Sequence, residues 1–261
     1  TATQPMTVNT ATGIWSYTGP AASLNRNFYR FELQVYHPLT KKVETVLATD
    51  PYSVNTATNG RYSQFVNMAD ADTKPSNWDT HEVPAAGNPE DIVIYEGHIR
   101  DFSIRDTTVS EANRGKYLAF TEMQSAPVMH LKKLAESGVT HFHMLPATDM
   151  ATVNEDVTKR VEITDTVGEL CAVNAKAKVC EDENDATVLL DLLKSYQPSG
   201  ELAQQLVADM RATDGFNWGY DPHHFNVPEG SYASNAEGVS RIKEMRAMNK
   251  ALHDIGLRVV L

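Results

Sequence analysis

The sequence predicts a mixed fold, a small β-sandwich over residues 1–88 followed by a parallel α/β unit over residues 89–261. Three observations carry this expectation. Apolar residues alternate over 28–36 and resume over 43–47, with a turn between them, the period of paired antiparallel strands. From residue 91 the order changes to strand, helix, strand, long insert, helix, strand, which calls for a parallel sheet with right-handed crossovers. Between the two textures lies "VPAAGNPE" at 83–90, where Pro, Gly and Ala cluster as in a linker.

The elements follow in order. "NFYRFELQVYHPLTKKVETVLATDPYS" supplies two strands, and "NGRYSQFVNM" supplies another, opened by an Asn59-Gly60 turn. "DIVIYEGHI" begins the α/β unit as a strand. "PVMHLKKLAESG" places Val128, Leu131, Leu134 and Ala135 at helical spacing and stops at Gly138. "VTHFHMLP" is the second strand, closed by Pro146. A long polar segment holding both cysteines follows. "TVLLDLLKSY" and "ELAQQLVADMRA" read as helices. "EGVSRIKEMRAMNKALHDIG" sets Ile242, Met245, Met248, Leu252 and Ile255 on one side, and "LRVVL" is the third strand. Two architectures accommodate this βαβαβ order: an open doubly wound sheet, or the first part of a (β/α)8 barrel. No G-x-G-x-x-G follows a strand and no G-x-x-x-x-G-K-[ST] loop occurs, so dinucleotide and P-loop functions lose their main support.

Composition narrows the partners. A formal net charge of −11 gives no basic footprint for nucleic acid and disfavours anionic membranes. No apolar run approaches the roughly 20 residues of a membrane span. The start lacks the basic, apolar and small-residue segments of a signal peptide, as a mature exported protein also would. Cys171 and Cys180 lie in "LCAVNAKAKVC" without a C-x-x-C. A local disulfide closing a surface loop is favoured over two buried thiols, and it indicates an oxidising compartment.

Chemistry concentrates in "GFNWGYDPHHFNVPEGSY" at 215–232. In an α/β barrel the connecting loops at the C-terminal strand ends hold the ligand. Tyr220 and Asp221 are the natural sugar-binding pair: the ring covers the C–H face of a pyranose and the carboxylate accepts from its hydroxyls. Trp218 is nearby. The competing use of these aromatics is to pin a long loop to the body. His141 and His143 share one strand face. With His223 and His224 they offer imidazoles for a metal, but no carboxylate or cysteine has convincing ligand spacing, so hydrogen-bonded histidines and no metal ligands are expected. Glu96 and Asp101 are a conceivable acid/base pair, yet Arg100 favours an ion pair. The acidic run "CEDENDA" reads as a solvated loop, with a structural calcium ion as the alternative.

The segments "YEGHIRDFS" at 95–103, "GVTHFHMLP" at 138–146, "NWGYDP" at 217–222 and "VPEGSY" at 227–232 resemble the type I pullulanases, starch-debranching enzymes of glycoside hydrolase family 13 in the α-amylase superfamily. "DPYS" and the Trp of "SNWD" resemble the carbohydrate-binding-like β-sandwich that precedes their barrel. The cysteine-bearing insert is similar to that of the secreted, lipoprotein-type bacterial members. The resemblance implies a β-sandwich followed by the first strands and helices of a (β/α)8 TIM barrel. It implies retaining hydrolysis of α-1,6 linkages in pullulan, starch and limit dextrins, without a required cofactor. Tyr220 would stack on the glucose being cleaved and Asp221 would organise that subsite. The family's third strand continues into an Asp-x-x-x-Asn-His motif, and this sequence stops before it. The resemblance therefore places no catalytic residue in this chain and makes the remainder of the same enzyme its partner. It also implies an extracellular or cell-surface bacterial location. Three strands alone are expected to leave an apolar sheet face.

Overall fold

The computed structural model describes residues 2–261. The N-terminal portion is built of two-stranded antiparallel pieces: β1 (Thr7–Asn9) with β2 (Ile14–Ser16), β3 (Phe28–Tyr29) with β6 (Ser63–Gln64), and β4 (Phe31–His37) with β5 (Lys42–Ala48). A short helix, α1 (Ala21–Leu24), precedes β3. The β4–β5 hairpin runs in unbroken register from Phe31 opposite Ala48 to His37 opposite Lys42. The Asn59-Gly60 turn forms as its sequence suggests. Asn59 and Gly60 take φ of 59° and 61°, and the Ala57 N–H donates to the Tyr62 carbonyl at 2.9 Å.

Residues 1–88 do not stack into the two facing sheets of the expected sandwich. The β4–β5 ribbon leaves Leu33, Val35, Tyr36, Val43 and Leu47 exposed, on both of its faces. A sandwich core needs a second sheet packed about 10 Å away, and none of the two-stranded pieces supplies one. Polar contacts hold this region instead. Arg26 pairs with Asp70 and Asp72, and the Asn55 amide donates to Gln64 Oε1 at 2.6 Å.

The α/β unit contains one parallel sheet of three strands, β7 (Ile94–Gly97), β8 (His141–Met144) and β11 (Arg258–Val260), in the order β11-β8-β7. Helix α2 (Ala126–Glu136) leads from β7 to β8. The insert holds β9 (Thr148–Met150), α3 (Val167–Val173), α4 (Val179–Asp182), α5 (Leu189–Ser195), α6 (Glu201–Met210) and β10 (Pro222–Pro228). Helix α7 (Ser240–Asp254) then leads to β11. Strand order follows chain order, so right-handed crossovers bring α2 and α7 to the same sheet face. There Phe142 and Met144 of β8 pack with Leu131 of α2, Met248 and Leu252 of α7, and Phe120 from the loop after β7. Gly97 makes room for this layer: a Cβ there would lie 2.7 Å from the Phe142 ring.

The other sheet face is mixed rather than apolar. Glu96, His141, His143 and Arg258 alternate onto it beside Ile94 and Val260, and His143 Nδ1 lies 3.3 Å from Glu96 Oε2. Three strands do not close a barrel, which needs its full strand set.

The insert has a core of its own, from Val161, Val167, Leu170, Leu189, Leu192, Leu206 and Met210. Cys171 and Cys180 are joined by a disulfide that ties α3 to α4. The expected local disulfide thus forms and closes the short segment between the two helices, with each cysteine on a helix. A legible signal was missed there. Thr166 and Glu169 form a reciprocal capping box, the T-x-x-E that opens α3.

Phe142 has no exposed surface and joins both helices to the sheet. Phe142→Ala is expected to cost about 3–5 kcal/mol of unfolding free energy in urea titration. A loss under about 1 kcal/mol would mean that the sheet and helices do not share one core.

Candidate functional site

Residues 215–220 cross the C-terminal end of the parallel sheet in a strict alternation. Gly215, Asn217 and Gly219 are buried, while Phe216, Trp218 and Tyr220 are exposed. Gly219 fixes the approach to the end of β8. Its φ is +81°, and a Cβ would stand 2.2 Å from the Pro146 carbonyl oxygen, so only glycine fits.

Asn217 fixes the loop from below. Its amide nitrogen donates to the Gly215 carbonyl at 3.0 Å, and its Oδ1 accepts from the Tyr232 hydroxyl at 2.7 Å. His98, one residue past β7, completes the group. Its Nδ1 accepts from the Asp101 N–H at 3.2 Å, which leaves the proton on Nε2, 3.1 Å from both Asn217 Oδ1 and the Tyr232 oxygen. Burial and the Glu229 charge hold the Tyr232 phenol well above its ordinary pKa, so it stays a donor.

Tyr220 and Asp221, the pair singled out in the sequence, lie side by side at the surface. Tyr220 is 68% exposed, and neither side chain makes a hydrogen bond among the described residues. The Asp221 carbonyl accepts from the Ala151 N–H at 3.0 Å, so the backbone is fixed while both side chains face outward. Trp218 is exposed with its ring edge-on to Phe216, centroids 6.3 Å apart. The segment is not wholly a loop. Residues from Pro222 form β10, antiparallel to β9 with two register shifts.

Beneath β10 lies a buried ionic group that the sequence did not reveal. Arg241, in the first turn of α7, holds Glu155 with both nitrogens, Nη1 to Oε1 and Nη2 to Oε2 at 2.9 Å each. Its Nη1 also donates to the Pro228 carbonyl at 3.1 Å and lies 3.4 Å from Asp149 Oδ1. Glu155 accepts further from the Asn59 N–H at 2.6 Å and the Gly230 N–H at 2.7 Å. Glu229 accepts from the N–H groups of Met150 and Ser231 at 2.8 and 2.7 Å. Burial, then the neighbouring Glu155 charge, push the Glu229 carboxyl up to about 7. The residues come from 149–155, 229 and 241, with no common spacing. The only signal was an arginine on the apolar side of an amphipathic helix.

The histidines separate into two places. His141 and His143 lie on the mixed sheet face, whereas His223 and His224 converge on Asp149. Arg100 pairs with Asp101 and Glu162, which accords with an ion pair rather than an acid/base pair. Lys178 pairs with Glu181 and Asp182 of the acidic run. Two groups among the described residues have metal-ligand proximity: Asp149 with His223 and His224, and Asp149 with Glu155 and Glu229. No helix among them is long and apolar enough to cross a membrane.

Residues 150–216 match the family model described as the pullulanase Ins domain. The whole chain is 42% identical to a pullulanase from Klebsiella aerogenes and covers 25% of that relative. The crystal structure of apo pullulanase from Klebsiella pneumoniae matches 99% of the chain, with a TM-score of 0.92 and 41% identity, over 29% of its own length. The structure of the K. pneumoniae enzyme complexed with maltotriose matches equally well, with a TM-score of 0.92, over 26% of its length. The chain thus spans about a quarter of the curated relatives it matches.

Glu229 gives the ionic group a pH signature. Its folded pKa lies above the ordinary carboxylate value, so the folded state holds the extra proton. Its contribution to stability is full below about 4.5 and is lost as pH rises through about 7. In thermal melts, the wild-type chain is expected to lose stability relative to Glu229→Gln between pH 5 and pH 8. A difference that stays flat with pH would show that Glu229 does not titrate there.

Proposed function

We propose that this chain, which is related over its whole length to part of the pullulanases, forms part of a retaining glycosidase that cleaves α-1,6-glucosidic linkages in pullulan, amylopectin and related α-glucans. The observation that carries the proposal is the presentation of Tyr220 and Asp221 at the C-terminal end of the parallel sheet, with both side chains unengaged. That is where α/β enzymes take their ligands. Tyr220 stacks on the glucose ring and Asp221 accepts from its hydroxyls. The His98–Asn217–Tyr232 group holds the loop that leads to them.

Residues 89–261 are then the first part of a (β/α)8 barrel. Support comes from three strands in chain order with both crossover helices on one face. Residues 1–88 are a carbohydrate-binding-like β unit whose ribbons lie exposed in this chain. Hydrolysis with retention needs a carboxylate nucleophile and a carboxylic acid that protonates the leaving oxygen. Both are placed outside this sequence, in the remainder of the enzyme. The reaction needs no cofactor, and calcium enters only as a structural ion. An extracellular or cell-surface bacterial location is supported by the Cys171–Cys180 disulfide.

In the enzyme that carries this segment, Tyr220→Ala is expected to lower kcat/KM on pullulan at least tenfold, the factor that corresponds to about 1.4 kcal/mol. Unchanged kcat/KM would remove Tyr220 from the site. The chain by itself is expected to release no reducing ends from pullulan, and hydrolysis by the pure chain would refute the placement of the carboxylates.

A second reading, α-glucan binding without catalysis, is favoured by the exposed Trp15 and Tyr17 on and beside β2. It predicts that Trp15→Ala reduces retardation of the chain in pullulan-containing native gels. Equal migration of variant and wild type would reject it.

A further inference from the structure

We propose that Asp149, His223 and His224 form a binding site for one divalent transition-metal ion of the zinc class, which fastens residues 49–60 to β10. The site is separate from the glucan-facing Tyr220 and Asp221, and it does not depend on the glycosidase reading.

The strand irregularity is the first reason. Neighbouring residues of a regular strand point to opposite faces. His223 and His224 instead converge, with ring centroids 4.1 Å apart, where β10 shifts register against β9 on either side of His224. A bulge of this kind re-aims a side chain. Both Nδ1 atoms now face Asp149 Oδ2, His224 at 2.6 Å and His223 at 3.7 Å. Bonds of about 2.0–2.1 Å in a tetrahedral zinc site place ligand atoms about 3.3 Å apart. The two observed distances bracket that value, and the three ligand atoms all lie within 4.8 Å of one another.

The second reason is the support behind the ligands. Thr49 Oγ1 lies 2.7 Å from His224 Nε2. Without metal, His224 donates its Nδ1 proton to Asp149 and accepts from Thr49. With metal, Nδ1 offers its lone pair and the Nε2–H donates to Thr49. A hydroxyl serves both tautomers, and an outer partner of this type is what orients a metal-bound histidine. Gly60 leaves the space required. A Cβ there would lie 2.7 Å from His223 Nδ1 and 3.0 Å from Cε1 of both rings.

The third reason is charge. Asp149, Glu155 and Glu229 are buried together, and Arg241 is the guanidinium bonded to this group. Arg160 acts on the two glutamates without a hydrogen bond to them. Asp149 directs Oδ2 to the two histidines while its Oδ1 lies near Arg241, so a divalent ion at the point where half-exposed His223 opens to solvent meets an anionic ligand. Two imidazoles and one carboxylate suit zinc rather than calcium.

The test uses untagged chain stripped with chelator and shown by circular dichroism to melt cooperatively. Zinc chloride is titrated by calorimetry, and cobalt(II) is added separately for its visible bands. One ion per chain, a raised Tm and imidazole-type cobalt bands are expected. His223→Ala should abolish the step while changing the metal-free Tm little, because the half-exposed His223 makes no hydrogen bond among the described residues. Thr49→Val should weaken affinity about 10–100-fold, and His143→Ala should bind as wild type. Absence of a saturable one-ion step in the cooperatively folded chain would overturn the proposal. So would a His223→Ala variant that titrates like wild type.

Discussion

The bidentate contact between Arg241 and Glu155 is the constraint on which the rest of the molecule depends. Both residues are buried, and each is bonded from more than one part of the chain. Glu155 reaches Asn59 in the N-terminal portion and Gly230 in the "PEGSY" turn. Arg241 reaches the end of β10 and the Ala236 carbonyl. Removing one partner from such a pair costs about 3–5 kcal/mol, because the other charge is left buried. The contact thus sets where four distant segments meet, and what makes it costly to break is the buried charge that would be left unpaired.

Helix α7 extends that junction. Arg246 donates to the Thr73 carbonyl and hydroxyl at 3.0 and 2.9 Å and lies over Trp78, 5.3 Å from the ring centroid. His253 meets His81 at 3.2 Å, ring stacked on ring. One face of the helix closes the apolar core through Met248 and Leu252, while its arginines and histidine collect the N-terminal portion. Polar contacts predominate there because the N-terminal ribbons have little buried apolar surface to offer.

The aromatic loop depends on this frame at one remove. Asn217 is held by Tyr232, which follows the "PEG" turn that Glu155 and Glu229 pin. The exposed rings are therefore presented by buried polar groups, not by apolar packing. The helical part of the insert, with its own core and disulfide, lies between Val161 and Met210, while Glu155 before it and Asn217 after it belong to this frame.

The sequence by itself determined the elements. Alternation gave β4 and β5, Asn59-Gly60 gave its turn, and the 3.6-residue period gave α2, α5, α6 and α7, because each signal is local. It also marked Tyr220 and Asp221, since an aromatic beside a carboxylate is a local feature too. Tertiary structure alone decided what those elements meet. It grouped Asp149, Glu155, Glu229 and Arg241, it turned His223 and His224 onto one carboxylate through a register shift, and it sent His141 and His143 elsewhere. It also left the N-terminal strands as separate ribbons. Partners distant in sequence are chosen by burial and desolvation, and these depend on the whole fold rather than on any window of residues.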